Sequence, residues 1–158
     1  MAHVSSAHGF SVIEAIAAAA VIAVALTTLA QLASLASRQN VTARRATSAL
    51  VLAQAKLEEL RSLPWRFDAD GSRVSSPALA PSPPNALTAD LEGWIERLDR
   101  FGAPVDDQRL VHYRRRWAVV PLTPFDLDAL TLQVCVVGES TPDALPDACV
   151  AAIRLRKP

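Results

Sequence analysis

The amino-acid sequence predicts an α+β fold in which a long N-terminal helix packs on a small antiparallel β-sheet. Residues 10–63 contain neither Gly nor Pro, and all 11 Pro follow them. This shift in composition separates a long helix from an irregular globular part. Near the C-terminus, apolar and polar residues alternate with the period of half-buried strands. The length of 158 residues favours one domain, and the 16 basic and 16 acidic residues indicate no nucleic-acid partner.

The first half of the predicted helix is apolar enough to lie in a membrane. Residues 15–36 contain no Asp, Glu, Lys or Arg, and a helix of about 20 apolar residues crosses a bilayer core. We therefore predict a transmembrane or filament-core helix over residues 10–36. Glu14 lies just inside its start, and a charge at mid-membrane costs about 2.5–3.5 kcal/mol, so a carboxylate there usually has a partner.

The residues around this carboxylate form a recognisable motif. Gly9 is followed by Phe10, then by Glu14 four residues later, and then by the apolar run. This arrangement resembles the signature of type IV prepilins and type II secretion pseudopilins. The resemblance implies that residues 1–9 are a leader, that a prepilin peptidase cuts after Gly9, and that the new N-terminal Phe10 is N-methylated. It also implies a role for Glu14 in subunit assembly.

The same resemblance implies a structural function. The helix lacks the kinking Pro of many major pilins, so we expect a minor pilin-like subunit that takes part in priming or tip assembly of a type IV pilus. A minor pseudopilin of a type II secretion system is the alternative, followed by a membrane-anchored extracytoplasmic binding domain. Other pilin or pseudopilin subunits would be partners. The chain would cross the bacterial inner membrane once, with its C-terminal domain in the periplasm.

Counting basic residues predicts the opposite orientation. Arg38, Arg44 and Arg45 follow the apolar run, whereas the leader contains no Lys or Arg. Basic residues normally stay on the cytoplasmic side of a membrane helix. The motif around Gly9 and Glu14 outweighs that count in our interpretation.

The helix is expected to continue over residues 37–63 as an amphipathic segment. Its apolar residues recur at spacings of three and four, which indicates one buried face. This stripe consists of Ala46, Leu50, Ala53, Leu57 and Leu60. Residues 53–61 also resemble the corresponding part of minor pilins and minor pseudopilins. Pro64 disfavours a helical conformation at the residue before it and ends the helix.

Residues 64–158 are expected to form a small globular domain. We predict a Pro-rich loop over 64–86, in which Asp68–Gly71 is a plain turn, and a short helix over 87–101. Alternation then predicts three antiparallel strands. They lie within residues 111–119, 130–137 and 149–155. The three consecutive arginines Arg114–Arg116 are interpreted as part of a solvated strand surface.

The sequence carries no recognisable catalytic or metal-binding motif. Once the leader is removed, His112 is the only histidine, and its neighbours in sequence are basic or apolar. We therefore predict that the protein is not an enzyme and needs neither a cofactor nor a metal.

Cys135 and Cys149 are the two cysteines of the chain. A hairpin that turns near Pro142 places them opposite each other, within reach of a disulfide, and the family resemblance implies an oxidising compartment. The apolar pattern favours a register shifted by one, with Ala151 and Ile153 facing the core and the cysteines on opposite faces. A bulge in the last strand would reconcile the two. We predict the disulfide, with the shifted register as the alternative.

Overall fold

The computed structural model describes residues 11–123, 126–139 and 146–157, and its architecture is α+β. The chain consists of two units, one ending at Thr42 and the other beginning at Ala43. Two short 3₁₀ turns accompany one helix and six strands in the described part of the chain. The helix and strands are α1 (Val12–Ser62), β1 (Trp65–Phe67), β2 (Arg73–Ser75), β3 (Ile95–Leu98), β4 (Tyr113–Thr123), β5 (Asp126–Gly138) and β6 (Ala148–Leu155).

Helix α1 is continuous over its 51 residues, as the absence of Gly and Pro predicts. Its first turn begins with backbone hydrogen bonds from Glu14 and Ala15 to the carbonyl of Ser11. Its last carbonyls would lack helical partners. The guanidinium of Arg154 donates to two backbone carbonyls there, those of Leu60 and Leu63. A side chain from the sheet therefore completes the end of the helix.

The main sheet is antiparallel and has four described strands, in the order β3-β4-β5-β6. The expectation of three strands was incomplete because β3 pairs with the free edge of β4. The Pro-rich segment also contains more than a loop, since β1 and β2 form a separate hairpin. Asp68–Gly71 is the turn of that hairpin, where the Gly71 N–H donates to the Asp68 carbonyl.

The prediction of a short helix over residues 87–101 is wrong. Gly93 has a φ of 80°, which right-handed helices exclude, and strand Ile95–Leu98 follows it. The spacing of apolar residues suggested one helical face, but Leu98 is fully buried while Phe101 is 78% exposed. Pairing with β4 satisfies the backbone groups of this segment and brings Glu96 opposite Arg115. That long-range pairing overrides the local periodicity.

The core of the second unit lies between the C-terminal part of α1 and one face of the sheet. Its sheet residues are nearly or completely buried: Val119, Leu130, Leu132, Val134 and Val136. The helix contributes Ala49, Ala53, Leu57 and Leu60. Two alanines at a spacing of four leave room for the helix backbone to approach the sheet closely.

The buried face of α1 is rotated from the predicted stripe. Ala53, Leu57 and Leu60 are buried as expected, but Ala46 and Leu50 are exposed. Lys56, which does not belong to the predicted stripe, is 5% exposed. The sequence pattern misplaced the face because it counted every charged residue as solvated, whereas Lys56 is buried with a charge partner.

The apolar pattern of β6 predicted the wrong face of the strand for the core. Ile153 is 63% exposed, and Ala151 is exposed as well. The inward-facing residues alternate with them and are half-buried: Ala148, Val150, Ala152 and Arg154. The strand pairs with β5 in an unbroken register, so no bulge is needed.

Candidate assembly site and charged clusters

The first half of α1 presents a fully exposed apolar surface. Every described residue up to Ser48 is exposed, and Val12 and Ile13 keep about three-quarters of their surface accessible, at 77% and 75%. The helix is long and apolar enough to span a membrane, and none of its apolar stretch is buried. Contiguous apolar surface of this kind indicates contact with lipid or protein.

Glu14 carries the one carboxylate in this exposed part of α1. No side chain in the described ranges 11–123, 126–139 and 146–157 forms an ion pair or a hydrogen bond with it. The first cation along α1 after Glu14 is Arg38, 24 residues away and beyond the apolar run. A carboxylate beside such a run therefore requires a partner from outside its own helix when the run is dehydrated. Gly9 and Phe10, the predicted cleavage and methylation residues, lie outside the described residues.

The two cysteines are joined in the structure. Cys135 on β5 and Cys149 on β6 are register partners, with Cα atoms 4.1 Å apart and sulfur atoms 2.03 Å apart. No free cysteine occurs in the chain. The bond ties the C-terminal strand to the centre of the sheet, across the hairpin whose residues 140–145 lie outside the described part.

A thiol assay tests this bond directly. Because both sulfur atoms are engaged, we expect denatured, unreduced protein to show no reactive thiol, whereas the same sample should show two after reduction. The reduced sample is the matched control for access of the reagent. Two thiols before reduction would contradict the bond.

A charged cluster joins α1 to the sheet within the second unit. Lys56 Nζ is 2.6 Å from Glu96 Oε1, and Arg115 Nε is 3.0 Å from Glu96 Oε2. Arg115 Nη1 also donates to the Leu52 carbonyl at 3.0 Å. The Lys56 ammonium lies 4.2 Å from the ring centre of Trp117. Glu96 thus binds two cations that are almost completely buried, and Lys56 Nζ also lies 2.9 Å from Oε1 of the exposed Glu59.

The protonation of Glu96 follows from these contacts. Burial by itself would raise the pKa of Glu96, but the hydrogen bonds from Lys56 and Arg115, with their charges, lower the pKa below its ordinary value of 4.5. The carboxylate is therefore ionised at neutral pH and remains so under mildly acidic conditions.

The other two arginines of the triplet are paired as well, so the predicted solvated surface is wrong. Arg116 is 8% exposed and binds Asp90 Oδ1 through Nε at 3.0 Å and Nη2 at 2.6 Å. Arg114 Nη2 donates to Glu139 at 2.9 Å. The pair of Arg116 with Asp90 was not predicted because Asp90 lies in the segment that was predicted to be helical. The triplet holds segments together and offers no free basic patch.

A further buried cation, Arg156, holds the small hairpin against the rest of the second unit. Its guanidinium lies 3.6 Å from the ring centre of Trp65, Nε is 2.7 Å from Asp128 Oδ1, and Nη1 is 3.0 Å from the Val74 carbonyl. A cavity of about 390 Å³ adjoins these residues and is lined mainly by apolar groups, including Leu79. Sequence reasoning missed this arrangement, since only the fold brings Arg156 onto Trp65.

The described residues offer little for catalysis or metal binding. No group of three or more His, Cys, Asp or Glu side chains in the described part could hold a metal ion. His112 is exposed just before β4. Its ring packs edge-on against that of Tyr113, with the two ring centres 4.9 Å apart. The predictions that the protein is not an enzyme and needs no cofactor stay predictions.

No protein-family model, curated protein or solved structure matches the chain.

Proposed function

We propose that this chain is a minor pilin-like structural subunit that takes part in priming or tip assembly of a type IV pilus. The observation that carries the proposal is the exposed, apolar first half of α1, whose one carboxylate is Glu14. Such a surface is stable in lipid before assembly and among similar helices afterwards. A structural subunit needs both environments, whereas a simple anchor needs only the first.

The second unit supports the same proposal. The C-terminal part of α1 supplies one side of its core through buried residues such as Ala53 and Leu57. The Cys135–Cys149 bond suits a domain exposed to an oxidising compartment such as the periplasm. A minor pseudopilin of a type II secretion system shares these requirements and is the alternative within this class.

A membrane-anchored binding domain is the second candidate. The cavity of about 390 Å³ beside Trp65 and Arg156 favours it, because apolar cavities of this size can hold a small ligand. This candidate requires neither a cut at Gly9 nor other subunits. Copurification of the chain with pilin-like subunits therefore separates the two functions.

The N-terminus of the mature protein tests the main proposal. In a host with an active prepilin peptidase, we expect mass spectrometry and N-terminal sequencing to find a chain that begins with N-methylated Phe10. Gly9→Val is the control and should keep the leader, because the added side chain occupies the position at which the peptidase cuts. An intact Met1 or Ala2 terminus in the unmodified chain would refute the processing and with it the proposal.

A further inference from the structure

Strand β6 leaves one side of the main sheet open. It is the last strand in the order β3-β4-β5-β6, and among the described residues no strand pairs with its outer edge. Just after the end of β6, Lys157 forms an isolated β-bridge with Arg66 of β1. Open edges carry unpaired N–H and C=O groups and attract other strands.

The register identifies which peptide groups face outward. The Arg156 N–H donates to the Asp128 carbonyl across the β5–β6 ladder, whereas the Lys157 carbonyl accepts from Phe67 on the other side. Hydrogen-bonded and non-hydrogen-bonded pairs alternate in an antiparallel ladder, and the second kind has the shorter Cα separation. The 4.1 Å between the Cα atoms of Cys135 and Cys149 agrees with this assignment. The outward-facing peptide groups therefore belong to Cys149, Ala151, Ile153 and Leu155.

A groove of about 630 Å³ runs beside the C-terminal half of this edge. The end of α1 and the start of β1 form one wall, and β6 forms the other. Its residues include Leu63, Pro64, Trp65, Ile153 and Leu155. Ile153 and Leu155 are 63% and 64% exposed. Their spacing of two matches the side-chain period of an added strand.

The groove carries positive charge. Arg61, Arg66, Arg154 and Lys157 line it, and none of the Asp and Glu side chains that the structure describes does. Glu58 pairs with Arg61 from outside the groove at 2.9 Å, but both side chains are more than half exposed. Burial and the neighbouring charge of Arg61 lower the pKa of Arg154 from its ordinary value. This crowding of cations makes a carboxylate the complementary group.

We propose that the outer edge of β6, together with this groove, binds an extended, acidic segment of another polypeptide as an added β-strand. Backbone hydrogen bonds to Ala151 and Ile153 supply affinity that is independent of sequence, and the basic groove selects carboxylates. The site lies wholly within the unit that begins at Ala43, so the inference does not rest on the proposed pilus function.

A designed peptide tests the inference. The probe is Thr-Val-Glu-Val-Glu-Val-Thr-amide with fluorescein on its N-terminus, and its partner is the full chain in a neutral detergent. We expect saturable binding in fluorescence anisotropy, with at least about tenfold weaker binding when both Glu of the peptide are replaced by Lys. Equal binding of the two peptides, or binding of neither, would overturn the proposal.

A matched pair of variants locates the binding. Ile153→Pro removes an outward N–H without removing a donor to β5, and proline is tolerated on edge strands. We expect Ile153→Pro to weaken binding of the acidic peptide at least about tenfold. Ile153→Ala keeps the N–H and should weaken that binding less than about threefold. Unchanged binding by Ile153→Pro would overturn the role of this edge.

A second variant guards against a folding defect in Ile153→Pro. Arg66→Glu combined with Lys157→Glu leaves the β5–β6 ladder untouched, since neither residue belongs to it. It should reverse the preference from the acidic peptide to the lysine peptide; an unchanged preference would refute the charge selection. Analytical ultracentrifugation tests whether a second copy of the chain occupies this edge instead. A dimer that dissociates in the Ile153→Pro variant would show that the partner is a second copy and would overturn the proposal.

Discussion

Replacing Glu96 by Gln is expected to lower the free energy of unfolding by about 3 kcal/mol. The substitution leaves the buried Arg115 without a carboxylate among the described residues, and it leaves the buried Lys56 with only the exposed Glu59. The side chains of Lys56 and Arg115 are only 6% and 11% exposed, while that of Glu96 is 27% exposed. This partial exposure places the estimate at the low end of the cost for breaking a buried ion pair. Urea unfolding at pH 7 measures the difference.

Glu58→Gln is the matched control. Glu58 pairs with Arg61 on α1 at 2.9 Å, but the two side chains are 67% and 52% exposed. Solvated pairs of this kind contribute about 0.2–1 kcal/mol, so the control should remain close to the unmodified protein. Equal losses for the two variants would show that Glu96 is not the centre of a buried cluster.

The pH dependence of stability follows from the same carboxylate. Its pKa in the folded protein lies below the ordinary value of 4.5, so the unfolded chain takes up a proton first as the pH falls. The stabilisation is therefore complete above about pH 4.5 and is lost as the pH falls through the lower, folded pKa. Glu96→Gln should be less sensitive to pH in this range, and an unchanged slope would argue against the assignment.

Replacing Glu14 by Ala is expected to reduce incorporation of the chain into a pilus or pseudopilus by at least about tenfold, while membrane insertion and cleavage stay intact. Within the described residues the Glu14 side chain has no partner. Removal of an uncompensated charge favours insertion, because a charge in the membrane costs about 2.5–3.5 kcal/mol. A loss of assembly would then reflect a lost contact with another subunit, for which we propose the α-amine of Phe10.

Two variants sharpen this experiment. Glu14→Gln keeps the shape and one acceptor oxygen but removes the charge, so it should resemble Glu14→Ala if the partner is a cation. Gln31→Ala removes a polar group from the same apolar run and should assemble normally. Copurification and crosslinking with other subunits measure incorporation. Unchanged incorporation of Glu14→Ala would refute the proposed role of the carboxylate.

Where the helix and the long strands lie was predictable from the sequence. The lack of Gly and Pro over residues 10–63 predicts α1, and alternation predicts β4, β5 and β6. These signals depend on backbone geometry and on a period that each segment carries by itself. The apolar run with Glu14 was visible for the same reason. These features require no knowledge of the residues with which a segment pairs.

The tertiary structure alone decided which charged residues are buried and which apolar residues are exposed. Arg115 and Lys56 lose their water because Glu96 reaches them from β3, a strand that the sequence pattern had assigned to a helix. Ile153 faces outward because the unbroken β5–β6 register pairs Cys135 with Cys149. Burial and charge pairing depend on contacts between segments far apart in the chain, and a local period contains no record of those contacts.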